Sequence, residues 1–145
     1  AKEEGSGRRA DEFASLYATA PLRTAEDVRA TVALLEPDVC DFAMAVTTYD
    51  LPPHLALRPA PGGSLEPMWA EMIHGGIRRH KDLVVSNGST YAANVAAFRR
   101  FRTFYGPGLR GHVMPPSRST DINVAEDLEL ALWKARRAGI ADCTA

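Results

Sequence analysis

Apolar positions along the chain fall into short runs divided by proline and glycine, and the spacing inside each run predicts its form. Residues 1–9 (AKEEGSGRR) are polar and read as a ragged end. Phe13, Ala14, Leu16 and Tyr17 form a brief apolar run closed by Pro21, which suits a buried strand better than a helix. Thr24-Ala25-Glu26-Asp27 has the form of a capping box, with Asp in place of the usual Glu or Gln. Val28, Thr31, Val32 and Leu35 then recur at helical spacing, and Pro37 sets the limit of that helix. Phe42 to Thr48 is a second run of strand length.

From Leu51 to Glu71 five prolines and the signal Pro61-Gly62-Gly63 predict a hairpin-like excursion. Leu83-Val84-Val85 predicts a strand that the turn pair Asn87-Gly88 would end. Val95 to Phe104 predicts a helix stopped by Gly106-Pro107-Gly108, and His112-Val113-Met114 a short strand before Pro115-Pro116. The last helix has Asn123 as its cap, Glu126 three residues later, and an apolar face from Leu128, Leu130, Ala131, Leu132 and Ala135. Lys134, Arg136 and Arg137 suit its negative end, and Gly139 can close it. Strands alternating with helices predict an α/β fold with a largely parallel sheet.

Composition narrows the function. The chain has 145 residues, 46% of them hydrophobic, enough for one domain with a core. Seventeen Lys and Arg against eighteen Asp and Glu leave a net charge of −1, so no basic excess is available for nucleic acid. Cys40 and Cys143 form neither a disulfide framework nor a metal cluster. No apolar run reaches membrane-spanning length and no secretory leader pattern opens the chain, so a cytoplasmic location without a membrane partner is expected.

Phosphate-loop, nucleophile-elbow and zinc-protease motifs are absent, and His54, His74, His80 and His112 are scattered. Two places can carry chemistry. Tyr17-Ala18-Thr19-Ala20-Pro21-Leu22-Arg23 joins a strand to a helix, where ligands of open α/β sheets bind; a plain connection is the simpler reading. Arg118-Ser119-Thr120-Asp121-Ile122-Asn123 leads into the final helix. There Asp121 can hold a hard cation or merely favour the positive helix end.

At these residues the chain resembles the acylneuraminate cytidylyltransferases, the CMP-sialic acid synthetases, and their relatives acting on other nonulosonic acids. The family's strand-end motif is matched by Tyr17-Ala18-Thr19-Ala20-Pro21-Leu22-Arg23, its Val-Thr strand end by Ala45-Val46-Thr47, and its Asn-Gly-x-x-Tyr by Asn87-Gly88-Ser89-Thr90-Tyr91. Its aromatic pair is matched by Phe104-Tyr105 and its Asp-Ile-Asp and Glu-Asp-Leu by Asp121-Ile122-Asn123-Val124-Ala125-Glu126-Asp127-Leu128. The similarity runs in order from about Asp11 to Gly139.

The resemblance implies a partial Rossmann-like nucleotide-sugar transferase sheet with helices, within one truncated domain over 1–145, and an inserted dimerisation segment at about 51–77. It implies transfer of CMP from CTP to a nonulosonic acid with release of pyrophosphate, assisted by Mg2+. Tyr17, Thr19, Ala20, Asn87 and Tyr91 would line the sugar side, and Phe104 and Tyr105 would pack on its acyl or glycerol part. Arg78 or Arg79 would reach its carboxylate. Asp121 would be the catalytic magnesium ligand, with Asn123 at the second metal position. Two departures qualify this expectation. No Arg-Gly-Gly-Ser-Lys-like nucleotide loop occurs in residues 1–10, and Asn123 stands in place of an acid. The partners implied are CTP, the sugar acid, and either a second copy or a separate N-terminal half. The alternative is an inactive sugar-binding or dimerising remnant of the family.

Overall fold

A computed structural model describes residues 10–51, 53–74 and 83–140. The described residues divide into two compact units, one within 1–47 and 86–145 and the other within 48–85.

The larger unit is built on a four-stranded sheet. Its strands are β1 (Glu12–Leu16), β2 (Phe42–Thr48), β5 (Val84–Asn94) and β6 (Arg110–Val113), in the order β1-β5-β2-β6. Strand β2 reads FAMAVTT and is buried at every residue but the last, as a central strand covered on both faces must be. Strand β1 lies at an edge and alternates exposed with half-buried residues. It pairs antiparallel with β5, Glu12 opposite Asn94 and Leu16 opposite Thr90, whereas β2 pairs parallel with β6. The sheet is therefore mixed and not largely parallel. Apolar runs carry no record of strand direction, which the connections decide.

Helix α1 (Ala25–Val32) follows β1 and packs on β6. Its capping box is complete: Thr24 Oγ1 accepts from the Asp27 N–H, and Asp27 Oδ2 accepts from the Thr24 N–H at 2.9 Å. Helix α3 (Val95–Phe101) starts where Asn94 Oδ1 accepts from the N–H groups of Ala96 and Ala97. It ends earlier than expected, at Arg102 in the left-handed region (φ 56°). Phe42, Ala93 and Ala97 form a buried core against which Phe13, Phe98 and Phe104 pack. Gly106 closes over it, since a Cβ there would enter the Phe42 ring.

Two further expectations change. Asn87-Gly88 is not a turn: β5 runs through it, and Gly88 takes a positive φ of 69° inside the strand. Helix α4 (Ala125–Arg137) is capped one residue later than expected, at Val124, and the acid used is Asp127 instead of Glu126. Asp127 Oδ2 accepts from the N–H groups of both Asn123 and Val124. At the other end the Ile140 N–H reaches the Ala135 carbonyl and the Gly139 N–H that of Arg136, the double closure that glycine at this position permits.

The smaller unit holds the expected hairpin, β3 (Leu57–Pro59) antiparallel to β4 (Leu65–Pro67) around Pro61-Gly62-Gly63, and the short helix α2 (Ala70–His74). Leu57, Leu65, Met68 and Trp69 are exposed on it. Among the described residues no helix is long and apolar enough to cross a membrane.

Candidate functional site

The carboxyl ends of β1, β2 and β6 gather around the Asn87–Thr90 part of β5. Past the end of β1, the Tyr17 N–H donates to the Ser89 carbonyl, and beyond β6, Met114 lies against the Asn87 amide. Ligands of open α/β sheets collect at this end of the strands.

The chain leaves β1 in a turn closed by the Ala20 N–H on the Tyr17 carbonyl. Arg23 folds back over it and donates to the carbonyls of Tyr17 (2.6 Å) and Ala20 (2.7 Å). Ala20 and Leu22 are buried and anchor the turn, while Tyr17 and Thr19 stay exposed. The Thr19 carbonyl accepts from the Ile122 N–H at 2.8 Å. That bond joins the strand-end motif to the segment before α4.

Asp121 is thereby laid on β5. A Cβ on Gly88 would come within 2.8 Å of the Asp121 carboxyl carbon, so glycine allows both the left-handed backbone and the close approach. Asp121 Oδ1 is buried without a hydrogen-bond partner, and Oδ2 lies 3.4 Å from Asn123 Nδ2. An unpaired buried carboxylate oxygen is costly unless a cation or donor reaches it.

Aromatic rings border the carboxylate. Tyr17 packs on Tyr91 (centroids 5.1 Å apart), Tyr91 on Phe104 (5.2 Å), and Phe104 on Phe98 and Phe13. The Tyr91 hydroxyl is hydrogen-bonded to Ser86 Oγ at 2.7 Å. Burial pushes the Tyr91 phenol up, and Tyr105, Tyr17 and the Asp121 carboxylate add to that, against the bond with Ser86. Tyr91 accordingly stays neutral at physiological pH, with its hydroxyl proton in place.

The residues singled out in the sequence thus separate. Tyr17, Thr19, Tyr91, Phe104 and Asp121 come together with Asn123 beside them. Tyr105 is exposed and close enough to Tyr91 to act on it electrostatically. Ala20 is buried, so it offers the site its turn and not its methyl group. Asn87 is also buried: its Nδ2 donates to Ser119 Oγ (3.0 Å) and Met114 Sδ, and its Oδ1 accepts from the Ser89 N–H. Its amide holds the segment before Asp121 in place. Arg78 and Arg79 lie outside the described residues.

Sequence reasoning named Thr47 only as part of a matched strand end. It sits at the carboxyl end of β2, buried, and its Oγ1 has no hydrogen-bond partner. Two threonines, Thr47-Thr48, closing an apolar run were the signal available in the sequence. Also missed was the grip on the segment before Asp121, where Arg118 pairs with Asp27 and Lys134 donates to the Pro116 carbonyl and Thr120 Oγ1.

Magnesium fits these residues in one manner only. Asp121 supplies a hard oxygen that is buried and unpartnered, but among the described residues no group of three or more acidic, His or Cys side chains is placed to hold a metal. Magnesium is commonly held by one or two carboxylates together with substrate phosphates and waters. The site therefore offers an ion one carboxylate and leaves its other positions to waters or phosphates.

Compared with protein-family models and with curated proteins, the chain gives no significant match.

Proposed function

We propose that the chain carries the sugar-acid side of a nonulosonic acid cytidylyltransferase, within a Rossmann-like nucleotide-sugar transferase sheet. One observation carries the reading: the Ile122–Thr19 hydrogen bond and the Asp121–Gly88 contact bring three separately matched motifs onto one end of the sheet. The Tyr17 and Tyr91 rings offer apolar faces and hydroxyls to a polyol, and the exposed Thr19 adds another hydroxyl. Tyr91, held neutral, can donate to a sugar oxygen once Ser86 yields it. Asp121 holds Mg2+, which when bound offsets negative charge on the triphosphate of CTP. Little covalent chemistry falls to the protein in such a transfer, so the work of these side chains is placement.

The exposed Leu57, Leu65, Met68 and Trp69 of the inserted unit support its use as a dimer contact. A cytoplasmic location, where CTP is available, fits this reaction.

The test is pyrophosphate release with CTP, Mg2+ and a panel of nonulosonic acids, run with and without an added N-terminal half from a cytidylyltransferase, alongside NMR titration of the chain with each acid. Sugar-dependent shifts at Gly88, Tyr91 and Ile122 are expected, with release only when the added half is present. Absence of shifts for every acid overturns the reading. Binding without release in any combination favours the second reading, a sugar-binding remnant, which the neutral Asn123 beside Asp121 supports.

A further inference from the structure

The segment that carries Asp121 is held at several points, and the strongest hold comes from a residue far from the site in sequence. Asp27 is buried, its side chain only 3% exposed, yet it is charged and heavily bonded. Arg118 reaches it with two parallel bonds, Nη2 to Oδ1 at 2.7 Å and Nε to Oδ2 at 3.1 Å. Thr24 donates to Oδ2 from its N–H and its hydroxyl, and His112 Nε2 stands 3.4 Å from Oδ1. Burial alone would push the Asp27 carboxyl up, but the bonds from Arg118, Thr24 and His112 outweigh it and hold it well below the usual carboxylate range. A bidentate guanidinium–carboxylate pair fixes direction as well as distance.

Arg118 ends the turn Pro116–Arg118, and only Ser119 and Thr120 separate it from Asp121. The same short stretch is tied by Ser119 to Asn87, by Thr120 to Lys134, and by Ile122 to Thr19. These neutral or more exposed bonds set the path of the chain. The pair of half-exposed Arg118 with buried Asp27 makes that path single-valued, because releasing Arg118 would leave Asp27 charged and poorly solvated.

We propose that Asp27 and Arg118 are positioning residues for Asp121: their pair docks the 118–123 segment onto the Thr19 turn and β5, and so sets the affinity of the Asp121 carboxylate for a divalent cation. The cation half of this statement rests on the functional reading above; the docking half does not.

Two measurements on the full chain separate them. The first is amide hydrogen exchange at Ile122, whose N–H is bonded to Thr19, relative to Ala92 and Ala93 in the core of β5. In Arg118→Met, Ile122 exchange rises about tenfold or more beyond any change at Ala92, since local opening is then decoupled from global unfolding. Arg118→Lys, which keeps the charge and loses the fork, falls between. The second is line broadening of the Gly88 and Asn123 amides by Mn2+ alone. Wild type shows it, Asp121→Asn abolishes it, and Arg118→Met and Asp27→Asn weaken Mn2+ binding about tenfold or more, the loss usual when the support of a metal ligand is removed.

If Ile122 exchange in Arg118→Met follows Ala92, the positioning role is overturned even where Mn2+ binds. If wild type shows no Mn2+ broadening while Ile122 responds as expected, docking stands and the cation reading falls. If Mn2+ binding is equal in wild type and in both variants, the link between the pair and Asp121 is overturned.

Discussion

The chain uses the same device at the start of two helices, with different consequences. At α1, Asp27 accepts from the backbone N–H of the cap residue Thr24; at α4, Asp127 accepts from those of Val124 and Asn123. Asp27 also reaches from α1 toward β6, where Arg118 and His112 converge on it. Asp127 is half-buried, and its hydrogen bonds stay at the helix start. A carboxylate that begins as a local cap becomes a long-range tie when burial forces it to gather partners. The comparison separates what a cap does for its own helix from what it does for the rest of the molecule.

The sharpest way to break the comparison is Arg118→Met. It strands a buried carboxylate and should lower stability by about 3 kcal/mol in urea unfolding. Gly88→Ala comes next. The added methyl must displace the Asp121 carboxylate and holds a non-glycine residue at φ 69°, so a loss of about 2 kcal/mol is expected, with loss of any Asp121-dependent ligand binding. Asp127→Ala removes only a cap and should cost about 1 kcal/mol, without changing Ile122 exchange. Val124→Ser runs the other way. Valine offers the helix start no side-chain acceptor, and serine there should raise stability by about 0.5–1 kcal/mol in the same measurement.

Acid sharpens the contrast further. Because the folded Asp27 carboxyl lies below its unfolded value, its contribution is complete above about pH 4 and is lost as pH falls. Unfolding free energy measured from pH 6 down to pH 2 should therefore drop less steeply in Asp27→Asn than in wild type.

Much of this arrangement was legible in the residues, for identifiable reasons. Thr24 and Asp27 announce α1 because a capping box is a local contract, complete within four residues. The FAMAVTT run announces a central strand because burial on both faces requires continuous apolarity. Asn87-Gly88 misled because the pair favours turns when isolated. Here the positive φ of Gly88 serves the approach of Asp121, a partner invisible in local sequence. The α4 cap shifted by one residue because Glu126 and Asp127 offer adjacent carboxylates, and only the geometry of the turn selects between them. The Asp27–Arg118 pair had no local signal at all. The clustering of Thr19, Tyr91 and Asp121 was expected only through the order of motifs, and Asn87 and Ala20 turned out to be buried supports.

The row of rings from Phe13 through Phe98, Phe104 and Tyr91 to Tyr17 runs from the core to the surface. Coupled aromatic transitions in such a file give an ellipticity signal in the near ultraviolet that depends on how the rings are tilted. The two tryptophans are not members of it: Trp133 lies on α4 beneath the Arg137 guanidinium, and Trp69 belongs to the inserted unit. The molecule therefore has an optical gauge of its own. A molecule settling on Tyr17 and Tyr91 would announce itself in the tyrosine bands while tryptophan emission stayed constant, with no label attached.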